Sequence, residues 1–228
     1  IDERTRFNDL GSEVAGWLLA DEEDMKNSPG SDSANCTGGG GYGVMESRNA
    51  AAPNDGKARY ANYGKDVYFR SNAAQAACYI NAFQQLQSID MYWMTDPNER
   101  AKFEYGFPSS YGLTVARGRT LDAMNGTLKP QWNFVETGWP WTESAAQGGR
   151  RILPAEARAA VWQSIIAGAR GIIYFDHWFG PSGSGCDSSK SVIRGECPIS
   201  EDTRQALAAT NAQVKAVAPA LNGPHVIT

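Results

Sequence analysis

Two glutamates each close a short apolar run: Val14 to Ala20 leads into Asp21-Glu22-Glu23, and Gln131 to Val135 leads into Glu136-Thr137-Gly138. Two carboxyls in different surroundings can hold pKa values far apart, so that one keeps its proton while the other is ionised. Such a pair suits the breaking of an acetal: one group protonates the leaving oxygen, and the other meets the oxocarbenium-like centre. On this reading Glu22 and Glu136 are the pair, one of them the acid and later the base, the other the nucleophile. A mechanism that retains configuration needs the two carboxyls about 5–5.5 Å apart. Glu136 is followed at once by Trp139 and Trp141, rings that suit sugar faces. For Glu22 the plain alternative is a solvated acidic turn, since Asp21, Glu23 and Asp24 surround it.

Other chemistries find less support. No Gly-x-Ser-x-Gly elbow occurs, which argues against serine-based hydrolysis. No Cys-x-x-Cys pair occurs and the only histidines are His177 and His225, a poor set for a metal site, so neither metal nor cofactor is expected. Gly38, Gly40 and Gly43 match Gly-x-Gly-x-x-Gly, but no strand is expected before them and no helix after them, so dinucleotide binding is not expected.

The chain has 228 residues, 42% apolar and 20% charged, which allows a packed core and argues against wholesale disorder. A net charge of -4 argues against a nucleic-acid partner. No apolar run is long enough to span a membrane. Seven Trp and nine Tyr lean mildly toward a carbohydrate partner. Four cysteines allow three pairings; Cys186 and Cys197 bracket a polar stretch that looks like a stapled loop, and Cys36 sits in another polar loop. An even number of cysteines in loops favours an oxidising compartment, hence a secreted or extracellular protein, at a cell surface or on a virion.

The elements that must position these residues alternate. Apolar runs at Val14 to Ala20, Ala58 to Tyr63, Ile89 to Met94, Gln131 to Val135 and Gly171 to Phe175 fit strands buried on both faces. Helical spacing covers Asn72 to Gln87 and Pro154 to Ala169, and Ser200 can cap a helix over Glu201 to Val217, with Pro219 beyond its end. Strands alternating with helices imply an α/β fold with a parallel sheet. Lys26 to Lys57, rich in Gly, Ser, Asn and Asp, reads as one long loop.

In this order the strand ends resemble those of the clan A retaining (β/α)8-barrel glycosidases. "GWLLADEEDM" at 16–25 looks like their fourth-strand ending and "WNFVETGWPW" at 132–141 like their seventh. "ARGIIYFDHWF" at 169–179 is similar to the eighth strand, and "VKAVAPALNGP" at 214–224 to the final helix. The resemblance implies a (β/α)8 TIM barrel represented by strands four to eight over residues 1–228, with the acid/base after strand four and the nucleophile after strand seven. Many members carry Asn before the acid/base, where Asp21 stands here, so Glu22 and Glu23 both stay open for that role. Tyr92 near the end of strand six can bond the nucleophile, and Asp90 before it can be a buried structural acid. Asn62 and Tyr63 line the sugar subsite from strand five. Trp178 is a stacking platform with His177 beside it, and Trp139 and Trp141 shape outer subsites.

Strands one to three are then unaccounted for, and Ile1 to Ser12 reads as the end of a helix before strand four. A barrel lacking three strands would expose sheet edges. The expectation is therefore an excerpt of a longer polypeptide, or a sheet completed by a second segment. A rival reading is a non-catalytic carbohydrate-binding barrel of a cell-surface or virion protein; another is a barrel of unrelated chemistry, because fold alone does not set function.

Overall fold

A computed structural model describes residues 16–26, 40–70, 72–96, 106–139, 150–179, 186–187, 189–197 and 201–222. The expectations that fall on Ile1 to Ala15, Cys36, Gly38, Trp141, Ser200 and Gly223 to Pro224 lie outside the described residues.

The elements run β1 (Gly16–Asp21), α1 (Glu23–Lys26), α2 (Gly40–Ala51), β2 (Ala58–Tyr63), a π-helical turn (Asp66–Arg70), α3 (Ala73–Ala82), β3 (Leu86–Ile89), α4 (Ser109–Asp122), a 3-10 turn (Ala123–Asn125), β4 (Gln131–Glu136), α5 (Pro154–Ile166), β5 (Gly171–Phe175) and α6 (Glu201–Leu221). The strands form one five-stranded parallel sheet whose order follows the chain, β1-β2-β3-β4-β5. Parallel neighbours need a crossover between them, and helices supply it here.

Two compact units share these elements. The first holds Ile1–Met91, Leu113–Phe134 and Ala167–Ile172; the second holds Tyr92–Gly112, Val135–Ile166 and Ile173–Thr228.

In the first unit the register pairs Gly16 with Ala58, Tyr60 with Leu86 and Gln87 with Gln131. Successive side chains of a strand point to opposite faces, so β2 sends Tyr63 into the helical layer, where its hydroxyl donates to the Tyr79 carbonyl at 2.8 Å. Met45, Tyr63, Val67, Tyr68, Ala76, Tyr79 and Ile80 are all fully buried and make up the core on that side. Asn72 caps α3 by accepting from the Gln75 amide at 2.9 Å. At the other end Gln84 donates to the carbonyls of Tyr79 and Ile80, at 3.0 and 2.7 Å. That cap ends the helix at Ala82, so the expected helix over Asn72 to Gln87 is shorter and Leu86 already belongs to β3. The expected strand Ile89 to Met94 is displaced backward for the same reason.

The loop expected over Lys26 to Lys57 contains a twelve-residue helix, α2. Glycine is a poor helix former, and the composition of this stretch hides the pattern. Tyr42 and Met45 supply the buried face, and the Tyr42 ring meets Tyr79 edge-on at 5.8 Å and Phe83 at 5.1 Å.

In the second unit α5 packs along α6, with Ala157, Ala160, Val161 and Leu207 buried. Arg151 pairs with Asp202 at 2.7 Å, and Arg150 with Glu156 at 2.7 Å. Pro219 stands inside α6 rather than beyond it. It falls in the last turn, and the Asn222 amide still reaches the Ala218 carbonyl at 3.0 Å, so the missing N–H of proline costs little there. Cys186 and Cys197 are joined by a disulfide, as their spacing suggested, with Cα atoms 5.1 Å apart. No described helix is long and apolar enough to cross a membrane.

Candidate functional site

Glu136 is the last residue of β4 and is fully buried. Its Oε1 accepts from the Met94 amide at 2.8 Å and from the Tyr111 hydroxyl at 2.5 Å. Its Oε2 accepts from the Thr95 hydroxyl at 2.6 Å. Burial pushes the carboxyl up to about 7, against the pull of the donors on Thr95, Tyr111 and Met94. A carboxyl with its pKa near neutrality changes charge over the range in which enzymes work. Burial and the neighbouring Glu136 charge push the Tyr111 hydroxyl well above its ordinary value, so it stays a donor.

The hydroxyl role expected of Tyr92 therefore falls to Tyr111, in the first turn of α4. The Tyr92 ring packs on Phe175, with centroids 5.0 Å apart. Nothing in the segment Ser109-Ser110-Tyr111-Gly112 marks it as a partner of a residue 25 positions on. Thr95 and Met94 lie in the turn that follows β3, and the sequence carried no sign of them either.

Beyond Glu136, Thr137 donates twice to the Phe175 carbonyl, from its amide at 3.2 Å and its hydroxyl at 2.8 Å, and so ties the ends of β4 and β5. Trp178 is 1% exposed and meets Trp139 edge-on at 6.0 Å. Val192 and the Cys186–Cys197 disulfide complete that cluster. Gly138 is needed where it is, because a Cβ there would come within 3.0 Å of both the Trp178 ring and Val192. The Trp178 ring, expected as a platform, is thus covered by protein, whereas Trp139 is half-buried and His177 is exposed.

In the first unit, Glu22 follows β1 with φ 53°, the one left-handed non-glycine residue among those described. Such backbone is costly and persists where surrounding contacts demand it. Its amide donates to the Asn62 carbonyl at 3.0 Å, and its own carbonyl accepts from Met25 and Lys26, starting α1. Asp21 is exposed, but the other two neighbouring acids are not a solvated run. Glu23 is 3% exposed and pairs with Arg48 at 2.6 Å. Asp24 is fully buried and accepts from the Gly64 and Val67 amides, both at 3.0 Å. Burial pushes Asp24 up to about 6 despite those two donors. Glu22 instead lies close enough to Asp90 for its charge to act on the Asp90 carboxyl. Burial, and the nearby charges of Glu22, Asp21 and Asp24, hold Asp90 well above the usual carboxylate range.

Asn62 is 3% exposed and fully engaged: its Nδ2 donates to Asp21 at 3.1 Å and its Oδ1 accepts from Ser88 at 2.6 Å. Ser88 also bonds the Tyr60 hydroxyl. Tyr63, expected beside Asn62 in the sugar subsite, points to the opposite face and lies in the core. A strand cannot present two successive side chains to one surface. Glu22, Asn62, Tyr63 and Asp90 belong to the first unit; Tyr92, Glu136, Trp139, His177 and Trp178 belong to the second. Among the described residues no group of three or more His, Cys, Asp or Glu is placed to hold a metal ion.

No family model matches the chain, and neither a curated protein nor a solved structure matches it significantly.

Proposed function

We propose that the protein is a glycoside hydrolase of the clan A retaining type, built on a (β/α)8 barrel and cleaving a poly- or oligosaccharide with two glutamates. The observation that carries this reading is Glu136: a carboxyl at a strand end, held by three named donors that favour its ionised form against the effect of burial. Barrel enzymes place their reacting groups at the carboxyl ends of strands.

In the proposed reaction ionised Glu136 attacks the anomeric carbon, while Glu22 gives its proton to the leaving oxygen. A glycosyl ester on Glu136 results, and water then displaces it as Glu22 takes a proton back. Glu23 is ion-paired with Arg48, which leaves Glu22 as the choice for this role. A retaining mechanism needs its two carboxyls about 5–5.5 Å apart across the anomeric carbon. The Cys186–Cys197 disulfide fits work outside the cell.

The test is covalent trapping. A panel of activated 2-deoxy-2-fluoro glycosides should add one glycosyl mass to the protein, on the peptide that contains Glu136, and Glu136→Gln should take up none. Labelling elsewhere, or no turnover of any glycoside, would end the reading.

One observation favours a second reading, a barrel that binds carbohydrate without cleaving it. Glu136 is fully buried, with donors on both oxygens, as a purely structural carboxylate would be. In that case Glu136→Gln binds glycans as the wild type does, and neither protein releases product.

A further inference from the structure

We propose that the loop after β5 forms a subsite for an anionic sugar substituent, a carboxylate or sulfate, read by Lys190 and Arg194 with His177 beside them. The proposal deepens the carbohydrate reading and rests on it for the sugar part of the ligand.

A cavity of about 110 Å³ opens at the end of β5, lined by His177, Lys190, Arg194, Ser189 and the carboxylates of Asp176 and Glu196, among others. It has room for a carboxylate or sulfate group and is too small for a whole pyranose ring. The lining holds both signs of charge, so what matters is which charges are already engaged. Asp176 has both oxygens occupied: Oδ1 accepts from the Ile193 amide at 2.7 Å, and Oδ2 bonds the Ser191 hydroxyl. Glu196 accepts from the Ser191 amide at 2.8 Å. Ser189 turns its hydroxyl to Asp187 at 2.5 Å.

Among the described residues neither cation is hydrogen-bonded in this way, although the Asp187 carboxylate acts on Lys190 through its charge. Lys190 and Arg194 are exposed, and among the described residues neither ammonium nor guanidinium has a hydrogen bond or ion pair. The loop thus engages both oxygens of Asp176 and one of Glu196, while Lys190 and Arg194 line the cavity with no hydrogen bond to their side chains among the described residues. A guanidinium binds a carboxylate or sulfate through two parallel N–H bonds, with an ammonium adding a point charge.

The loop is also held in place before any ligand arrives. The disulfide closes it, Gly195 and Glu196 donate to the Val192 and Ser191 carbonyls at 3.0 Å each, and His177 pairs with Ser191 across an antiparallel bridge. Donors fixed in advance lose less entropy on binding. The same strand end is joined to β4 through Thr137 and Phe175, one residue beyond Glu136.

The experiment is equilibrium binding by calorimetry, with the whole chain and methyl glucuronide, methyl glucoside, glucose 6-sulfate and acetate as probes. The expected result is that methyl glucuronide binds at least tenfold more tightly than methyl glucoside, and that the double variant Lys190→Gln, Arg194→Gln loses at least tenfold. Each single variant should lose part of that, and added salt should weaken the anionic probes only. Glucose 6-sulfate on a par with the glucuronide shows that charge is read, with sulfated sugars as a source; weaker sulfate binding assigns the site to uronates. Equal affinity for glucuronide and glucoside, no binding of either, acetate binding as tightly as the glucuronide, or an unaffected double variant would each overturn the proposal. Binding without hydrolysis of any glycoside keeps the subsite and removes the hydrolase reading; hydrolysis of neutral glycosides with no response to charge does the reverse.

Discussion

The Tyr111 hydroxyl donates to Oε1 of Glu136 at 2.5 Å, joining the first turn of α4 to the last residue of β4 with both side chains fully buried. A buried carboxylate is tolerated only while donors replace the water it has lost. Tyr111, Thr95 and Met94 do so from two separate stretches of chain.

Removing one of those donors has a calculable consequence. Tyr111→Phe keeps the ring and deletes the bond, leaving Glu136 undercompensated at a cost of about 1–3 kcal/mol. Urea unfolding near neutral pH should register that loss, and the carboxyl should titrate higher than in the wild type. An unchanged midpoint would mean that the bond contributes nothing.

Glu136 also sets a pH dependence whose sign can be worked out. Its pKa rises from 4.5 to about 7 on folding, so the folded protein holds this proton where the unfolded chain has released it. The contribution to stability is full below the unfolded value and is lost as pH climbs through about 7, a swing of about 3 kcal/mol. Asp24, raised to about 6, acts in the same sense but finishes earlier. The part of the decline between about pH 6 and about pH 8 should therefore disappear in Glu136→Gln. Chemical denaturation at a series of pH values measures it, and a slope that survives the substitution would assign the titration elsewhere.

Asp24 offers a cleaner structural test. Its two oxygens hold the Gly64 and Val67 amides at 3.0 Å each. Asp24→Ala strands both donors and should cost about 2–4 kcal/mol, with Asp24→Asn, which can satisfy one of them, falling between. Thermal unfolding of the three proteins should give that order.

The disulfide predicts a coupled readout. Replacing Cys186 and Cys197 by Ser frees a loop of sequence separation 11 and should lower stability by about 3 kcal/mol. Because Trp178 packs on that disulfide at 1% exposure, its emission should shift to the red in the same variant. Stability loss with unchanged fluorescence would mean that the loop stays closed without its staple.

Much of the fold was legible because each strand is a local apolar run with its own punctuation. Ala58–Tyr63 and Gly171–Phe175 match the expected ranges, and Pro154 opens α5 as its fixed φ suggests. Local pattern misled where a tertiary contact decides. The Gln84 side chain ends α3 early, and burial of Tyr42 and Met45 makes a helix of a glycine-rich stretch. Asn62 and Tyr63 were read as neighbours on one surface, although strand alternation already separates them.

The amino-acid sequence by itself determined which carboxyls stand at strand ends, because apolar runs and the polar residues that close them are properties of adjacent positions. Only the tertiary structure decided what each carboxyl became. Tyr111 reaches Glu136, Arg48 takes Glu23, and Asp24 takes the Gly64 and Val67 amides, in each case across a distance in sequence that no local pattern spans. Burial and hydrogen bonding set the charge of a carboxyl, and both are made by residues brought near only when the chain folds.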